Sequence, residues 1–476
     1  MFSLGDIMQG NDGRIYLQSD ISPNPDTQFR SAQHDSRQVG LGDLFVAIKG
    51  ARVDGHRFLA DVVRVGATGA LCSELHPELP GDFLQLVVPD VIKALQATAR
   101  IRVLRQPGTI KIGITGSSGK TTTKEAVATI LQSVAPTLKT YASYNTDIGY
   151  PLTILRLELD HRYAVLEMGA ERVGELHELC NTIANPDWVV ITTVGPAHLK
   201  QFGSLENVAR AKSELVQALP KDGVAMLNID DLAVQAMQKQ TQARVIFYGR
   251  SERAAVRAEG VEKADLFGSQ FTLHIENKKI HVRLWLPGEQ GITIALAAAT
   301  VGYVAGLPIE NIGSILETLR PMQGRGEVKE GAGPNGSTLI DDTYNAVRPA
   351  IVVMVRAMSA TTLVPGGQRW AVLGELLEQG KYTQVEHYST GLELPANIDY
   401  LVTIGDLAKF YGEGATRAGM PADHIYHFPV DPQNTAEVEA RKQEVAALLK
   451  QKVTAKDLVL VKGSNDMRME TLFSMF

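Results

Sequence analysis

Cysteine is nearly absent: Cys72 and Cys180 are the only two in 476 residues, far apart and without a C-x-x-C pair. That argues against a disulfide framework and a cysteine zinc site, and it fits a reducing cytoplasm. Positive charge is not in excess either. With 47 Lys and Arg against 53 Asp and Glu, the formal charge of -6 leaves no basic footprint for nucleic acid. The longest apolar stretch, around 292–307, is interrupted by Thr and Gly and is too short to span a bilayer. The start, Met1-Phe2-Ser3-Leu4-Gly5-Asp6, lacks a basic region followed by an apolar core, so no signal peptide is expected. Short-period repeats and low-complexity segments are missing too. What remains is an ordinary globular composition, 44% hydrophobic and 21% charged, in a chain longer than one core organises. About three domains are expected.

The strongest local signal is T-G-S-S-G-K-T-T-T, Thr115 to Thr123. It follows the apolar run Ile110 to Ile114 and leads into a helical stretch over 123–131. Strand, glycine loop and helix together make a phosphate site. Glycines such as Gly116 and Gly119 let backbone N–H groups turn inward, with Ser117, Ser118 and Thr122 in the same loop. Lys120 can bridge terminal phosphates, and the Thr121 hydroxyl can ligate magnesium. The spacing G-x-x-G-K-T is shorter than the usual Walker A pattern.

Up to about residue 108 the elements are short, ending in a helix over 91–104 and the breaker Gln106-Pro107-Gly108. From Thr109 apolar runs at 110–114, 163–166, 188–194 and 224–227 alternate with helical stretches, which predicts a largely parallel sheet covered on both faces. Alternating residues at 271–275 and 280–286, joined by the four residues 276–279, read as a hairpin. Helices near 294–305 and 309–319 precede a boundary at Arg320-Pro321. The alternation then resumes through 339–340, 371–373, 401–404 and 458–461 as a separate domain. The expected fold class is α/β with three domains: a small N-terminal α/β substrate domain (1–108), a central P-loop ATPase-like parallel sheet (109–320) and a C-terminal Rossmann-like α/β domain (321–476).

An α/β sheet presents ligands at the C-terminal ends of its strands. Glu167 lies there, after Tyr163 to Leu166, and beside a phosphate loop it is a magnesium candidate. His198, in Gly195-Pro196-Ala197-His198-Leu199, taken alone is a surface loop histidine. Lys212, in a clear helix, taken alone is a solvated cation. Asp341 to Asn345 and Lys462-Gly463-Ser464 each follow a strand and read, by themselves, as strand-ending turns.

In order, these pieces resemble the Mur ligases, ATP-dependent amide-forming enzymes of peptidoglycan synthesis. The resemblance spans nearly the whole chain: Asp35-Ser36-Arg37-Gln38-Val39, Lys49-Gly50-Ala51-Arg52-Val53-Asp54-Gly55-His56, the short phosphate loop, and Asn145-Thr146-Asp147-Ile148-Gly149-Tyr150-Pro151-Leu152. It continues in Glu167-Met168-Gly169-Ala170, the loop ending in His198, Ala211-Lys212-Ser213-Glu214, Gly324-Arg325-Gly326-Glu327 and Asp341-Asp342-Thr343-Tyr344-Asn345-Ala346. Within the family the Ile-Gly-x-Pro-Leu run, the His198 loop and Lys462-Gly463-Ser464 with Met469-Glu470 look most like the member that adds D-alanyl-D-alanine to UDP-N-acetylmuramoyl-tripeptide.

The resemblance implies a cytoplasmic monomer using ATP and magnesium, with no nucleic-acid or membrane partner. The tripeptide carboxylate would attack the γ-phosphate, and the dipeptide amine would then displace phosphate from the acyl phosphate. It assigns Lys120 and Arg325 as charge-neutralising cations. Thr121 and Glu167 would hold one magnesium, and His198 with a carbamylated Lys212 a second. Asp342 and Asn345 would contact nucleotide. Ser36 and Arg37 would lie on the UDP-sugar side of the N-terminal domain, and Asn145, Thr146 and Lys462 on the substrate side, with the acceptor bound by the C-terminal domain. Three departures stand out. Gln290, Gly291 and Ile294 occupy places where the family commonly has a His-Asn step and a further Asn near the adenine. Asn345-Ala346-Val347-Arg348-Pro349 replaces Asn-Ala-Asn-Pro, and Asn465 replaces an arginine that often follows Lys-Gly-Ser. The phosphate and metal residues are intact, so an active ligase is expected; the alternatives are a related ligase with another acceptor, or a nucleotide-binding protein that has lost turnover.

Overall fold

The computed structural model describes residues 1–11, 16–18, 24–50 and 53–476; Ala51 and Arg52 of the family-like segment 49–56 lie outside the described residues. Three α/β domains follow one another, each built on its own sheet. The N-terminal sheet runs Tyr16–Gln18, Leu84–Val87, Gly69–Cys72, Leu44–Val46, Ala32–Gln33, parallel except for its first strand. The C-terminal sheet of six strands is parallel apart from Glu327–Lys329 at one edge. Among the described residues, no helix is long and apolar enough to cross a membrane.

The central sheet of nine strands has the phosphate-loop strand Ile110–Thr115 between Tyr163–Glu167 and Trp188–Ile191. Its strands are apolar because both faces are covered. Ile112, Ile114, Val165, Val190 and Met226 face the helices Lys120–Gln132 and Gly288–Val304. The intervening Ala164, Leu166, Val189, Ile191 and Leu227 face the other layer, which holds the helices Glu175–Thr182 and Leu205–Gln217. The two-residue period of a strand thus feeds two cores at once.

That second core runs on without interruption into the N-terminal domain, where Leu4, Ile7, Leu95 and Ala99 join Leu152, Ile154 and Leu179. Arg102 fastens the join: its Nε and Nη2 donate to the carbonyl of Leu157 at 3.0 and 2.5 Å, and the residue is 7% exposed. The C-terminal domain has a core on each face of its own sheet, and one of these takes in Leu266 from the central domain, whose N–H donates to the Thr361 hydroxyl at 3.1 Å.

Several local details differ from the sequence-based expectations. The phosphate-loop helix begins at Lys120, since Gly119 at φ +78° makes the turn into it. The strand expected over 188–194 ends at Ile191: the Thr192 N–H still reaches the Thr115 carbonyl of the neighbouring strand, but beyond it Thr193 and Gly195 bond to the glycine loop and Val194 to Asp231. The hairpin is present, but Ile275 pairs with Lys278 across the two-residue turn Glu276-Asn277, with Glu276 at φ +52°, so the expected four-residue connection is two residues long. The strand Val256–Asp265 was not foreseen: its polar, solvent-side residues mask the alternation.

Replacing Arg102 with Met leaves the buried Leu157 carbonyl without its charged donor. A loss of about 1.5–3 kcal/mol is expected, read as an earlier urea transition of the N-terminal and central units; an unmoved midpoint contradicts the fastening role.

Candidate functional site

The glycine loop is fixed from one side. The Ser117 N–H donates to the Thr193 carbonyl at 2.8 Å, the Thr192 hydroxyl donates to the Ser118 carbonyl at 2.7 Å, and the Ser117 hydroxyl donates to the Gly195 carbonyl at 2.9 Å. Gly116 sits at φ +152°, and a Cβ there would lie 1.9 Å from the Thr192 hydroxyl oxygen, so only glycine fits. The first N–H groups of the helix, from Lys120 to Thr122, bond to no protein acceptor among the described residues. They make an anion site at a helix N-terminus.

Thr121 is the junction of this site. Its hydroxyl donates to Glu167 Oε1 at 3.1 Å and accepts from Arg325 Nη2 at 3.0 Å. The Asn145 amide donates to the same Glu167 oxygen at 2.8 Å. Glu167 is 1% exposed, and its second oxygen, Oε2, is buried with no partner. A lone carboxylate oxygen beside a phosphate loop suits a hard divalent cation. Lys120 folds back onto the Gly116 carbonyl at 2.8 Å; burial holds its ammonium below the ordinary lysine range, against the opposite pull of Glu167.

His198 begins the short helix Leu199–Phe202 at φ +51°, a strained conformation for a non-glycine residue. Its Nδ1 lies 2.8 Å from Glu378 Oε2 and 3.9 Å from Glu171 Oε1, a grouping that could also hold a metal ion. Lys212 is the clearest reversal of a single-residue reading. Instead of a solvated cation it is 3% exposed, with one long hydrogen bond of 3.4 Å to the Ala170 carbonyl. Burial, helped by the nearby charge of Lys120, lowers its ammonium to about 7.

The C-terminal domain completes the cavity, about 580 Å³, with Arg325, Asp342, Tyr344, Asn345 and Lys462. Arg325 lies over the Tyr344 ring at 3.9 Å, and the Tyr344 hydroxyl donates to Ser143 of the central domain at 2.5 Å. Lys462 donates to Asp342 Oδ2 at 2.6 Å and to the Asn345 carbonyl at 2.9 Å, which braces this turn. Burial raises the Asp342 carboxyl, against the pull of Lys462. Gln290, Gly291 and Ile294 line the same cavity beside Leu286, Pro287 and Met354, a mostly apolar wall.

Ser36 and Arg37 are not brought to this cavity. They form a one-turn helix in the N-terminal domain, where Arg37 makes a paired contact with Asp35 and holds that carboxyl down to about 2. Thr146 lies in the cavity wall with Asn145. Glu171, Tyr344 and Glu378 escape a reading by motif. Tyr344 stands inside a quoted segment without a chemical cue, and Glu378 reaches His198 only because the two domains meet.

A glycine loop between a parallel strand and a helix, an unpartnered carboxylate oxygen at the next strand end, and a second α/β domain over the cleft define a P-loop nucleotide-binding protein of composite site. Three family models match it in order: Mur ligase family, catalytic domain, over 29–102; Mur ligase middle domain over 114–302; and Mur ligase, glutamate ligase domain, over 324–465. The chain is 35% identical over 94% of its length to the UDP-N-acetylmuramoyl-tripeptide--D-alanyl-D-alanine ligase of Mycobacterium bovis, covering 92% of that protein. With the Bacillus subtilis ligase of the same name it shares 31% over 94% of this chain and 93% of the relative. Among solved structures, MurF from Acinetobacter baumannii superposes with a TM-score of 0.84 at 29% identity, over 99% of this chain and 98% of that one. MurF ligase from Thermotoga maritima in complex with ADP gives 0.77 at 26%, over 94% and 97%. The chain belongs to the Mur ligase family.

Gly116→Ala is expected to weaken nucleotide binding roughly tenfold or more, from backbone strain plus the clash with Thr192; calorimetric titration that finds unchanged affinity contradicts the loop geometry. The depressed Lys212 carries a signed pH dependence. Between about 7 and the ordinary lysine range the unfolded chain binds more protons, so this residue makes stability rise with pH over that window. Lys212→Met should flatten that rise, measured as the difference in melting temperature between pH 6 and pH 9 for the two proteins.

Proposed function

We propose that this protein is an ATP-dependent ligase that joins D-alanyl-D-alanine to UDP-N-acetylmuramoyl-tripeptide, forming ADP and phosphate in peptidoglycan precursor synthesis. The carrying observation is the convergence of Lys120, Thr121, Glu167 and Arg325 on one cavity, in a chain aligned almost end to end with relatives of that name. A carboxylate is a poor acyl donor, so the tripeptide carboxylate first takes the γ-phosphoryl group, with ADP as leaving group. The dipeptide amine then attacks the acyl carbon, and phosphate leaves from the tetrahedral intermediate.

The roles follow from position. The N–H groups at the start of the phosphate-loop helix cradle the phosphates, while Lys120 and Arg325 offset the charge that accumulates as two anions approach. Thr121 and Glu167 Oε2 would hold a magnesium ion, and His198 with a carbamylated Lys212 a second; bound there, magnesium neutralises phosphate charge. Lys212 suits carbamylation because it is buried, poorly partnered and uncharged in a large fraction near neutral pH. Asp342 and Asn345, braced by Lys462, face the nucleotide from the C-terminal domain. Asn145 and Thr146 face the tripeptide, and Ser36 and Arg37 its UDP end. We place the domain boundaries near residues 108 and 320, and the reaction in the cytoplasm.

The deciding assay supplies ATP, magnesium, a defined UDP-muramoyl-tripeptide and D-alanyl-D-alanine, reading phosphate release and product mass. Release that requires both peptides supports the reading; no ligated product, or equal turnover with unrelated amines, defeats it. Glu167→Gln should lower kcat about 10²- to 10³-fold. Labelled bicarbonate should give a carbamate carbon resonance that disappears in Lys212→Ala, along with most ligation.

A further inference from the structure

A buried cation on the phosphate-loop helix takes no part in the chemistry described above. Lys124 stands three residues after Thr121 and is 0% exposed. Its ammonium donates to the carbonyls of Thr140 and Ala142, both at 2.8 Å, and lies 3.1 Å from Glu125 Oε1. Glu125 is paired in turn with Lys139, the last residue of the edge strand Thr137–Lys139. Among the described residues neither carbonyl accepts from another donor. Taking an ammonium out of water is costly unless several partners hold it, and here two of those partners are the backbone of one turn.

That turn is one the chain does not favour unaided. Ala142 sits at φ +46°, a left-handed conformation that costs an alanine energy. The residues on either side of it serve the site. Before the turn, the Thr140 hydroxyl accepts from the Glu167 N–H at 3.0 Å. After it, the Asn145 amide occupies Glu167 Oε1 at 2.8 Å, and the Ser143 hydroxyl receives Tyr344 from the C-terminal domain. Glu167 is thus held, at its backbone and at one carboxylate oxygen, by the two ends of the segment that Lys124 clamps. Its other oxygen, Oε2, is the one left without a partner.

We infer that Lys124 is a positioning residue for the magnesium site: by clamping the turn at Ala142 it keeps the Asn145 amide on Glu167 Oε1, so that Oε2 alone is presented to the ion. Charge-assisted bonds to two carbonyls are strong enough to hold a strained turn in one geometry. Lys124 touches neither nucleotide nor metal and acts only through that turn. The inference rests on the magnesium reading of Glu167 and adds the residue that sets its geometry.

The test reads metal coupling without turnover. ADP is titrated calorimetrically into the protein with magnesium and again with EDTA, and the ratio of the two affinities is the coupling. Lys124→Met should lower that ratio about tenfold, the effect of removing support from a metal ligand. Affinity in EDTA should not move, because the glycine loop stays fastened to Thr193 and Gly195. A lysine that only stabilised the helix would lower the melting temperature and leave the ratio alone. Asn145→Ala should lower the ratio as well, and Lys124→Met added to it should lower it no further, since both act on one contact. Ala142→Gly accepts the positive φ without a clamp, so it should restore part of the ratio in the Lys124→Met protein. Ala142→Val, at an exposed position, keeps the lysine but opposes the positive φ. It should lower the ratio too, and it decides the matter where Lys124→Met does not melt cooperatively. An unchanged ratio in either variant, or losses that add in the double variant, overturns the inference and leaves the magnesium reading intact. A wild-type protein whose ADP affinity ignores magnesium overturns both.

Discussion

The Thr121 hydroxyl is the point on which the site depends. One oxygen donates to the strand-end carboxylate of Glu167 and accepts from Arg325 of the C-terminal domain. It therefore ties the start of a helix, the end of a neighbouring strand and a second domain to the same few ångströms. Because the hydroxyl and the Asn145 amide both occupy Glu167 Oε1, the other carboxylate oxygen is left buried and unpartnered. Such an orphan is costly unless a ligand satisfies it, which is what the magnesium ion of the proposed function would do.

The way the domains join follows the same division of labour. The N-terminal and central domains share a continuous apolar core, which makes them one platform. At the site the C-terminal domain meets that platform through exchangeable polar contacts: Arg325 with Thr121, Tyr344 with Ser143, and Tyr382 with the Gly203 carbonyl. Polar interfaces of this sort trade protein partners for water at small net cost. In the proposed reaction, substrate entry and water exclusion would use this seam.

Much of the fold was legible locally. The apolar parallel strands, the helix Val91–Leu104 and the phosphate-loop turn follow from run length, periodicity and glycine placement, all short-range properties. The structure departs from local preference where a tertiary partner competes with it, as when Thr193 and Gly195 leave the sheet for the glycine loop, or where one exposed face dilutes the pattern, as in Val256–Asp265. Gln290 and Ile294 show another limit. Their side chains differ from the usual family residues, yet only their place in the cavity, beside an apolar wall, says what they meet.

The sequence by itself determined the class of fold, the phosphate loop and, through its ordered motifs, the family, because these rest on residue types and spacings along the chain. The tertiary structure decided what single residues are. Lys212 and Glu167 are ordinary charged residues in sequence, and burial turns one into a depressed amine and the other into a half-satisfied carboxylate. The meeting of His198 with Glu378 was decided there too, since desolvation and long-range contact exist only once distant segments have been brought together.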